Sequence, residues 1–309
     1  MKGITCSGDF DRKTSSTRAV LVGMAIGLAG MAVPAFAADI PVATCGFVIN
    51  APGNYGVVAD LNCPAGATAI TINASNVSLK LNSHIITGTP GSTTTWPIGI
   101  NINPGLTPRL DHVGIVGPGV IQRFNNPGTG ILINNTDYSL VSGVTVAFNG
   151  DGIEAVNNNF LTVRSSQIVA NLDNGLDLGV PTNNTFAYND LSGNHNYGLW
   201  MGGGSANIVN NNVASGNGAD GITIAGNYSR VYSNVTNGNG GEGIDVYPTT
   251  FENTPTGGEP TGVAPVGNQF FNNTSSVGNG SDDLTDNTVC GLNFWSNNVF
   301  FTGNKPCIH

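Results

Sequence analysis

Charged residues are scarce in this sequence, and basic residues are the scarcest. Only 9% of the 309 residues are charged, with ten Lys and Arg against 19 Asp and Glu. A nucleic-acid-binding protein presents a basic surface to neutralise phosphates, so this composition argues against a nucleic-acid partner. Beyond residue 33, no apolar run approaches the roughly 20 residues that a membrane-spanning helix needs, so we expect no membrane span.

Glycine is abundant, with 44 residues, but it shows no Gly-X-Y period and therefore does not indicate collagen. Ile, Leu and Val are spread along the chain in short runs, whereas a disordered chain is depleted in them. A folded all-β protein with many glycine-containing turns is the class that remains.

The first 37 residues resemble a secretory signal. Four basic residues precede or begin an apolar run from Ala19 to Val33, and the small-residue site Ala35-Phe36-Ala37 follows. We predict cleavage after Ala37 and a secreted or periplasmic location. The remaining chain would carry six basic and 17 acidic residues.

Cleavage would also remove Cys6 and leave four cysteines, and an even number in an exported protein indicates disulfides. Four cysteines allow three connectivities. Because they form two close pairs at opposite ends of the chain, we favour Cys45 with Cys63 and Cys290 with Cys307.

A four-residue pattern, glycine-apolar-any-apolar, repeats at spacings of 22 or 23 residues. We call each copy a tetrad; the copies begin at Gly130, Gly152, Gly175, Gly198, Gly221 and Gly243, with an earlier one at Gly99. The alternation predicts a strand with one buried face. A second column runs in step, at Asn149, Asn171, Asn194, Asn217 and Asn239.

One such unit cannot bury its own apolar side, so the copies must stack strand on strand, which predicts a parallel β-helix. Identical Asn side chains on successive rungs are expected to hydrogen-bond as a ladder, and glycine is expected to permit a tight corner. We expect a signal peptide at 1–37, an N-terminal cap at 38–65 and about eight or nine coils with a C-terminal cap at 66–309. Insertions are expected between Gly99 and Gly130 and at 247–267.

The GI-x-I and late-Asn pattern, with the entry segments CGFVINAPGNYGVVADLNCP and NASNVSLKLNSHIITG, resembles right-handed parallel β-helix repeat proteins of the pectin-lyase-like superfamily. The resemblance covers essentially the whole chain after residue 37. It implies an all-β, right-handed parallel β-helix with coils of 22 to 23 residues and disulfide-tied caps. That superfamily includes pectate and alginate lyases, polygalacturonases, mannuronan epimerases and non-catalytic surface proteins, so a polysaccharide is the implied partner.

Similarity to the lyases implies calcium on a carboxylate cluster and a cationic or Tyr base. The basic candidates are few, and none is an obvious base: Lys80, Arg123, Arg164 and Arg230. The run GGEGIDVY from Gly240 fits the calcium β-roll pattern once, but that motif works in tandem copies, so we assign no metal-binding residue. Asp282, Asp283 and Asp286 are interpreted as a solvated loop.

The third residue of each tetrad is expected to face solvent. This column reads Asn101, Leu132, Glu154, Asp177, Trp200, Thr223 and Asp245. Glu154 and Asp177 lie on neighbouring rungs, roughly 5 Å apart, so one should have a raised pKa and act as a general acid. Retaining glycosidases use a similar separation.

We therefore predict Glu154 and Asp177 as catalytic residues. Trp200 would be a platform for a sugar ring, with His195, Tyr197 and Asp245 completing the substrate-binding set. The alternative is that these are ordinary polar residues on a β-helix face, with Trp200 covered by a loop.

Two functions remain open. One is a secreted polysaccharide lyase or glycoside hydrolase that cleaves or modifies a glycan. The other is a non-catalytic extracellular carbohydrate-binding or structural β-helix protein.

Overall fold

The computed structural model describes residues 38–90, 96–102, 105, 108–125, 128–247, 264–276 and 278–309. The predicted signal segment 1–37, and residues 248–263 of the expected insertion, lie outside the described residues. The described residues form β-strands and turns without a helix, and among them there is accordingly no helix long and apolar enough to cross a membrane.

The tetrads form a sheet of ten parallel strands, which we call the tetrad sheet. Each tetrad pairs with the next in register: Ile153 lies opposite Leu176, which lies opposite Leu199. The strands are Phe47–Ile49, Thr68–Ile72, Ile98–Ile102, Thr129–Asn134, Asp151–Val156, Leu176–Gly179, Leu199–Gly202, Ile222–Ile224, Ile244–Val246 and Leu284–Asp286.

A second sheet has eleven parallel strands. They are Ile40–Val42, Gly53–Val57, Val77–Lys80, Val113–Val116, Leu140–Ser142, Thr162–Arg164, Thr185–Ala187, Ile208–Asn210, Arg230–Tyr232, Gln269–Phe271 and Phe294–Ser296. Arg164 and Arg230 belong to this sheet and therefore lie away from the tetrads.

A third sheet has five strands: Leu61–Asn62, Ile85–Thr87, Val120–Gln122, Thr145–Ala147 and Gln167–Val169. It continues towards the C-terminus through single parallel bridges, as from Gln167 to Asp190. Two further pairs join Leu110–Asp111 with Thr136–Asp137, and Thr274–Ser275 with Val299–Phe300. The predicted right-handed parallel β-helix is confirmed, with ten tetrad-sheet rungs rather than eight or nine, because segments at both ends add rungs.

The interior is a continuous stack of aliphatic side chains. The second residue of each tetrad is fully buried, at Ile131, Ile153, Leu176, Leu199, Ile222 and Ile244. The Asn column is buried beside it as a ladder: Asn171 Nδ2 donates to Asn194 Oδ1 over 3.0 Å, and Asn217 Nδ2 donates to Asn239 Oδ1 over 3.0 Å. A second ladder, which the tetrad pattern does not predict, runs from Asn189 through Asn212, Asn234 and Asn273 to Asn298.

The tetrad glycines are required by close packing rather than by an unusual backbone angle. A Cβ added to Gly175 would lie 2.6 Å from the Gly198 carbonyl oxygen and 2.7 Å from Asn194 Nδ2, and Gly175 does not have a left-handed φ. The expectation of a glycine-dependent tight corner is thereby corrected. The Asn ladder occupies the space that a side chain would need.

Both ends of the described solenoid are tied by a disulfide, Cys45–Cys63 and Cys290–Cys307, in the favoured pairing. Residues 38–65, expected as a cap, also add strands to all three large sheets.

The interpretation of the Asp283 region as a solvated loop is wrong. Asp283 is 4% exposed and accepts hydrogen bonds from the backbone of Phe301 and Thr302, while Asp286 is 1% exposed and accepts one from Trp295 Nε1 at 3.0 Å. These carboxyl groups satisfy donors of the C-terminal turns.

Candidate functional site

Two columns of side chains project outward from the tetrad sheet. The first is the predicted third position of each tetrad, with Glu154 opposite Asp177 and Asp177 opposite Trp200. The second is the residue before the tetrad glycine in each repeat from Gly130 onward: Thr129, Asp151, Asn174, Tyr197, Asp220 and Glu242. In the strand Asp151–Val156, the glycine and the following Ile are both buried, so strict alternation is broken and the preceding residue faces outward.

This second column was missed because a two-residue period places it inside. Its signal in the sequence is that the residue before the glycine is polar in each repeat from Thr129 onward.

Three carboxyl groups lie together on two rungs: Asp151, Glu154 and Asp177, which we call the Glu154 cluster. Asn174 joins two of them, because its backbone N–H donates to Asp151 Oδ1 at 3.1 Å and its Nδ2 donates to Asp177 Oδ2 at 3.3 Å. Thr129 Oγ1 donates to Glu154 Oε2 at 3.4 Å. All three carboxyl groups are half-buried.

Burial and mutual repulsion favour the protonated forms of the Glu154 cluster. Burial, with Asp177 as the next cause, raises the pKa of Asp151 to about 7. Burial and the Glu154 carboxylate raise the pKa of Asp177 to about 6, and burial and Asp151 raise the pKa of Glu154. At a pH of about 6 to 7, the cluster therefore retains protons that separate, solvated carboxyl groups would have released.

Tryptophan side chains flank the cluster on both sides along the solenoid. Trp200 lies half-buried on the rung after Asp177. Trp96 is 53% exposed, and its Nε1 donates to Thr129 Oγ1 at 3.2 Å, so it connects through Thr129 to Glu154. Trp96 was missed because it precedes the Gly99 tetrad by three residues and belongs to neither column.

A second group of carboxyls, Asp220, Glu242 and Asp245, lies further along the same sheet; we call it the Asp245 cluster. The expectation that the third residue of each tetrad faces solvent is wrong for two residues here, since Thr223 is 2% exposed and Asp245 is 5% exposed. Both face outward but are covered by polar neighbours. Thr223 Oγ1 donates to Asp220 Oδ2 at 2.8 Å, and Asn287 Nδ2 donates to Asp245 Oδ1 at 3.0 Å.

The Asp245 cluster also has raised pKa values. Burial, with Asp220 and Glu242 as the next causes, raises the pKa of Asp245 to about 8. Burial and the hydrogen bond with Asp220 raise the pKa of Glu242 to about 7.

The other predicted substrate-binding residues occupy different positions. Tyr197 is half-buried in the second column, one rung before Asp220, and burial and the Asp245 cluster raise its pKa. His195 is exposed in the turn that leads to the tetrad sheet, where its backbone N–H donates to the Asn171 carbonyl at 2.9 Å. The structure thus brings Glu154, Asp177 and Trp200 together on adjacent rungs, places Tyr197 beside the Asp245 cluster, and leaves His195 at a corner.

Basic side chains of the described residues lie outside the strands of the tetrad sheet. Lys80 is in the eleven-stranded sheet and pairs with Asp39 at 3.0 Å, and Arg109 pairs with Asp137 at 2.6 Å. Arg123 lines a separate groove of about 570 Å³ together with Phe148 and Leu172. Across the described ranges, no group of three or more His, Cys, Asp or Glu residues is arranged to hold a metal ion.

Comparison with solved structures identifies similar solenoids. The Dettilon tailspike protein shares 18% sequence identity with a TM-score of 0.60, over 87% of this chain and 60% of the tailspike chain, so this chain spans less than two thirds of the tailspike's length. The A-module of mannuronan C-5 epimerase AlgE6 from Azotobacter vinelandii shares 13% identity with a TM-score of 0.52, over 86% of this chain and 90% of the module. At these identities the likeness shows the fold alone.

A comparison with curated proteins finds no match. The family model described as a right handed beta helix region matches residues 122–305, which is more than half of the chain and includes both carboxyl clusters. The chain therefore belongs to the right-handed β-helix family.

Proposed function

We propose that the protein is an exported glycoside hydrolase that cleaves a polysaccharide at the Glu154 cluster. The observation that carries this proposal is the group of three carboxyls with raised pKa on adjacent outward positions of one sheet. Glycoside hydrolysis needs one protonated and one ionised carboxyl on either side of the scissile bond.

The comparisons and the disulfides support the general class. One similar structure is named as an epimerase of mannuronan, itself a polysaccharide. Two disulfides favour an oxidising compartment outside the cytosol, which agrees with the predicted signal segment.

The glycan is proposed to lie along the solenoid axis, across successive rungs of the tetrad sheet. Trp96 and Trp200 are proposed to pack against the apolar faces of sugar rings on either side of the Glu154 cluster. Rungs spaced by about 4.8 Å present a repeating set of side chains to a repeating polymer.

Asp151 is the proposed general acid, because it has the higher of the two pKa values in the cluster, about 7. It protonates the glycosidic oxygen as the bond from the anomeric carbon to that oxygen breaks, and the bonding electrons leave with the oxygen. Its own proton is restored when water attacks the anomeric carbon and gives up a proton to Asp151.

Asp177 is the proposed nucleophile. The hydrogen bond from Asn174 Nδ2 favours its ionised form and fixes its orientation. It attacks the anomeric carbon to form a glycosyl ester, which water then hydrolyses. Glu154, one rung away and held by Thr129, stabilises the positive charge that develops on the sugar ring.

Hydrolysis fits this face better than elimination does. A lyase removes the proton beside a uronate carboxylate, and it is helped by a cation that neutralises that carboxylate. The described Lys and Arg residues all lie outside the tetrad-sheet strands, whereas the face carries both carboxyl clusters.

The test is mass analysis of products after incubation of the purified protein with neutral, acidic and amine-bearing polysaccharides, with and without calcium. Products that have gained one water per bond cleaved support the proposal, and unsaturated products would show a lyase instead. Asp151→Asn and Asp177→Asn should each lower kcat at least about 100-fold. Asp190→Asn, which removes a carboxyl outside the tetrad sheet, is the matched control and should retain activity.

A further inference from the structure

The Asp245 cluster lies beyond the proposed cleavage site along the same face. Asp177 and Asp245 are three rungs apart, with Trp200 and Thr223 on the rungs between them, a distance of about 14 Å along the sheet. A glycan chain that lies across the Glu154 cluster and follows the axis therefore reaches the Asp245 cluster with a different sugar unit.

One polar group beside this cluster lacks a hydrogen-bond partner. Thr285 lies opposite Asp245 on the next strand and faces the same side of the sheet. It is 4% exposed, and its Oγ1 is buried without a partner. A buried hydroxyl left without a partner is unfavourable, so it indicates a position where a ligand group completes the hydrogen bonding.

Aromatic rings accompany these oxygen atoms. Tyr197 precedes Asp220 in the second column, and Tyr247 follows Asp245 by two residues and is 46% exposed. A protonated amine on an organic ring can donate three hydrogen bonds to carboxyl groups and also interact favourably with tyrosine rings. Carboxyl oxygens combined with aromatic rings therefore match an organic ammonium group.

We propose that the Asp245 cluster, with Thr285, is a subsite for the protonated amino group of a sugar unit. The substrate class is then a polysaccharide with free amino groups, an assignment that rests on the proposed glycan-cleaving function. Binding places the ammonium group between Asp245 and Glu242, with the Thr285 hydroxyl oxygen accepting an additional hydrogen bond from it.

This subsite links ligand binding to proton release. Asp245 has a pKa of about 8 and Glu242 of about 7, so at pH 7 Asp245 is mostly protonated and Glu242 about half protonated before the ligand binds. An ammonium group favours their ionised forms and expels those protons. The titratable groups that face them are Asp220, Asp282, Asp286, Tyr197 and Tyr247.

The experiment is isothermal titration calorimetry at pH 7 in two buffers of different ionisation enthalpy, with the purified protein. The probes are a glucosamine hexamer, its fully N-acetylated counterpart and a galacturonic acid oligomer. We expect the glucosamine hexamer to bind at least 10-fold more tightly than the N-acetylated oligomer and to release protons. Equal affinity for the two, or binding of the hexamer without proton release, would overturn the proposal, as would a calcium requirement for binding.

Thr285→Val and Asp245→Asn should each weaken binding of the glucosamine hexamer at least 10-fold, whereas Asp190→Asn should not. Circular dichroism and thermal unfolding of each variant show whether the solenoid is retained, and Thr285→Val preserves the shape of the side chain. Amine-selective binding without cleavage would refute the proposed hydrolase function but support the proposed subsite. Cleavage of a neutral glycan without amine-selective binding would refute only the subsite.

Discussion

Asn174 donates one hydrogen bond from its side chain to Asp177 and one from its backbone to Asp151, so a single residue positions both proposed partners in bond cleavage. Its side-chain bond lowers the pKa of Asp177 against the larger effect of burial. Asn174 is thus a positioning residue that orients both carboxyl groups and lowers the pKa of each against the larger effect of burial.

Activity is expected to be highest between about pH 6 and 7. Asp177, with a pKa of about 6, must be ionised, and Asp151, with a pKa of about 7, must be protonated. In Asn174→Ala the loss of the donor raises the pKa of Asp177, so the acid limb of the kcat profile should move to higher pH and the maximum should fall about 10-fold. Asn196→Ala removes an amide that binds Asp173 and should leave the profile unchanged. An unshifted acid limb in Asn174→Ala would remove Asp177 as the group responsible.

The Asp245 cluster predicts a dependence of stability on pH. The pKa of Asp245 is raised from an ordinary value of 3.8 to about 8, so between these values the folded protein holds a proton that the unfolded chain has released. The contribution of Asp245 to the free energy of unfolding should therefore be greatest below about pH 4 and should fall as the pH rises towards 8.

Asp245→Asn tests this prediction, since Asn retains an oxygen that accepts the hydrogen bond from Asn287. At pH 9 the variant should be more stable than the parent by at least about 1 kcal/mol, while at pH 4 the two should be similar. Urea denaturation at both pH values provides the measurement. A variant that is less stable than the parent at pH 9 would contradict the assigned cause.

The close contact between the tetrad glycines and the Asn ladder predicts that two Gly→Ala substitutions within one repeat differ in their effect on stability. Gly175→Ala should destabilise the solenoid by about 1–3 kcal/mol or prevent folding, because the added Cβ meets Asn194 Nδ2 and the Gly198 carbonyl. Gly179→Ala, in the same repeat, places its Cβ at ordinary contact distance from Val156 and should be tolerated. Thermal unfolding compares the two, and equal losses of stability would refute the packing explanation.

The terminal disulfides predict a local effect of reduction. Replacing Cys290 and Cys307 by Ser should lower the free energy of unfolding of the end rungs by about 2–4 kcal/mol. Each rung of a solenoid contacts mainly its neighbours, so hydrogen exchange should accelerate in Phe294–Ser296 and remain slow in Asp151–Val156. Uniform acceleration throughout the chain would contradict this expectation.

The repeat period was sufficient to predict the fold and the first outward column, because a period of 22 to 23 residues with alternating apolar positions has few other solutions. It was not sufficient for the second column, because the buried Gly152 and Ile153 break the alternation directly after Asp151. Burial of Asp245 also escaped prediction, since Asn287, which binds it, lies 42 residues later and outside the repeat. Trp96 was missed for a related reason, because its contact with Thr129 depends on a segment that enters the coil rather than on the tetrad itself.

The inward and outward residues of each rung have different roles. The glycine, the two apolar residues and the Asn of a repeat are committed to the interior, and the hydrogen bonds between successive Asn side chains align one rung with the next. The outward residue before each glycine also links neighbouring rungs, since Asn174 N–H donates to Asp151 Oδ1 and Tyr197 N–H donates to Asn174 Oδ1. The third residue of each tetrad is therefore the position that can be exchanged one rung at a time. The tetrad sheet is thus a scaffold on which the third residue of each tetrad can change to match a different linear polymer, while the coil that supports it stays the same.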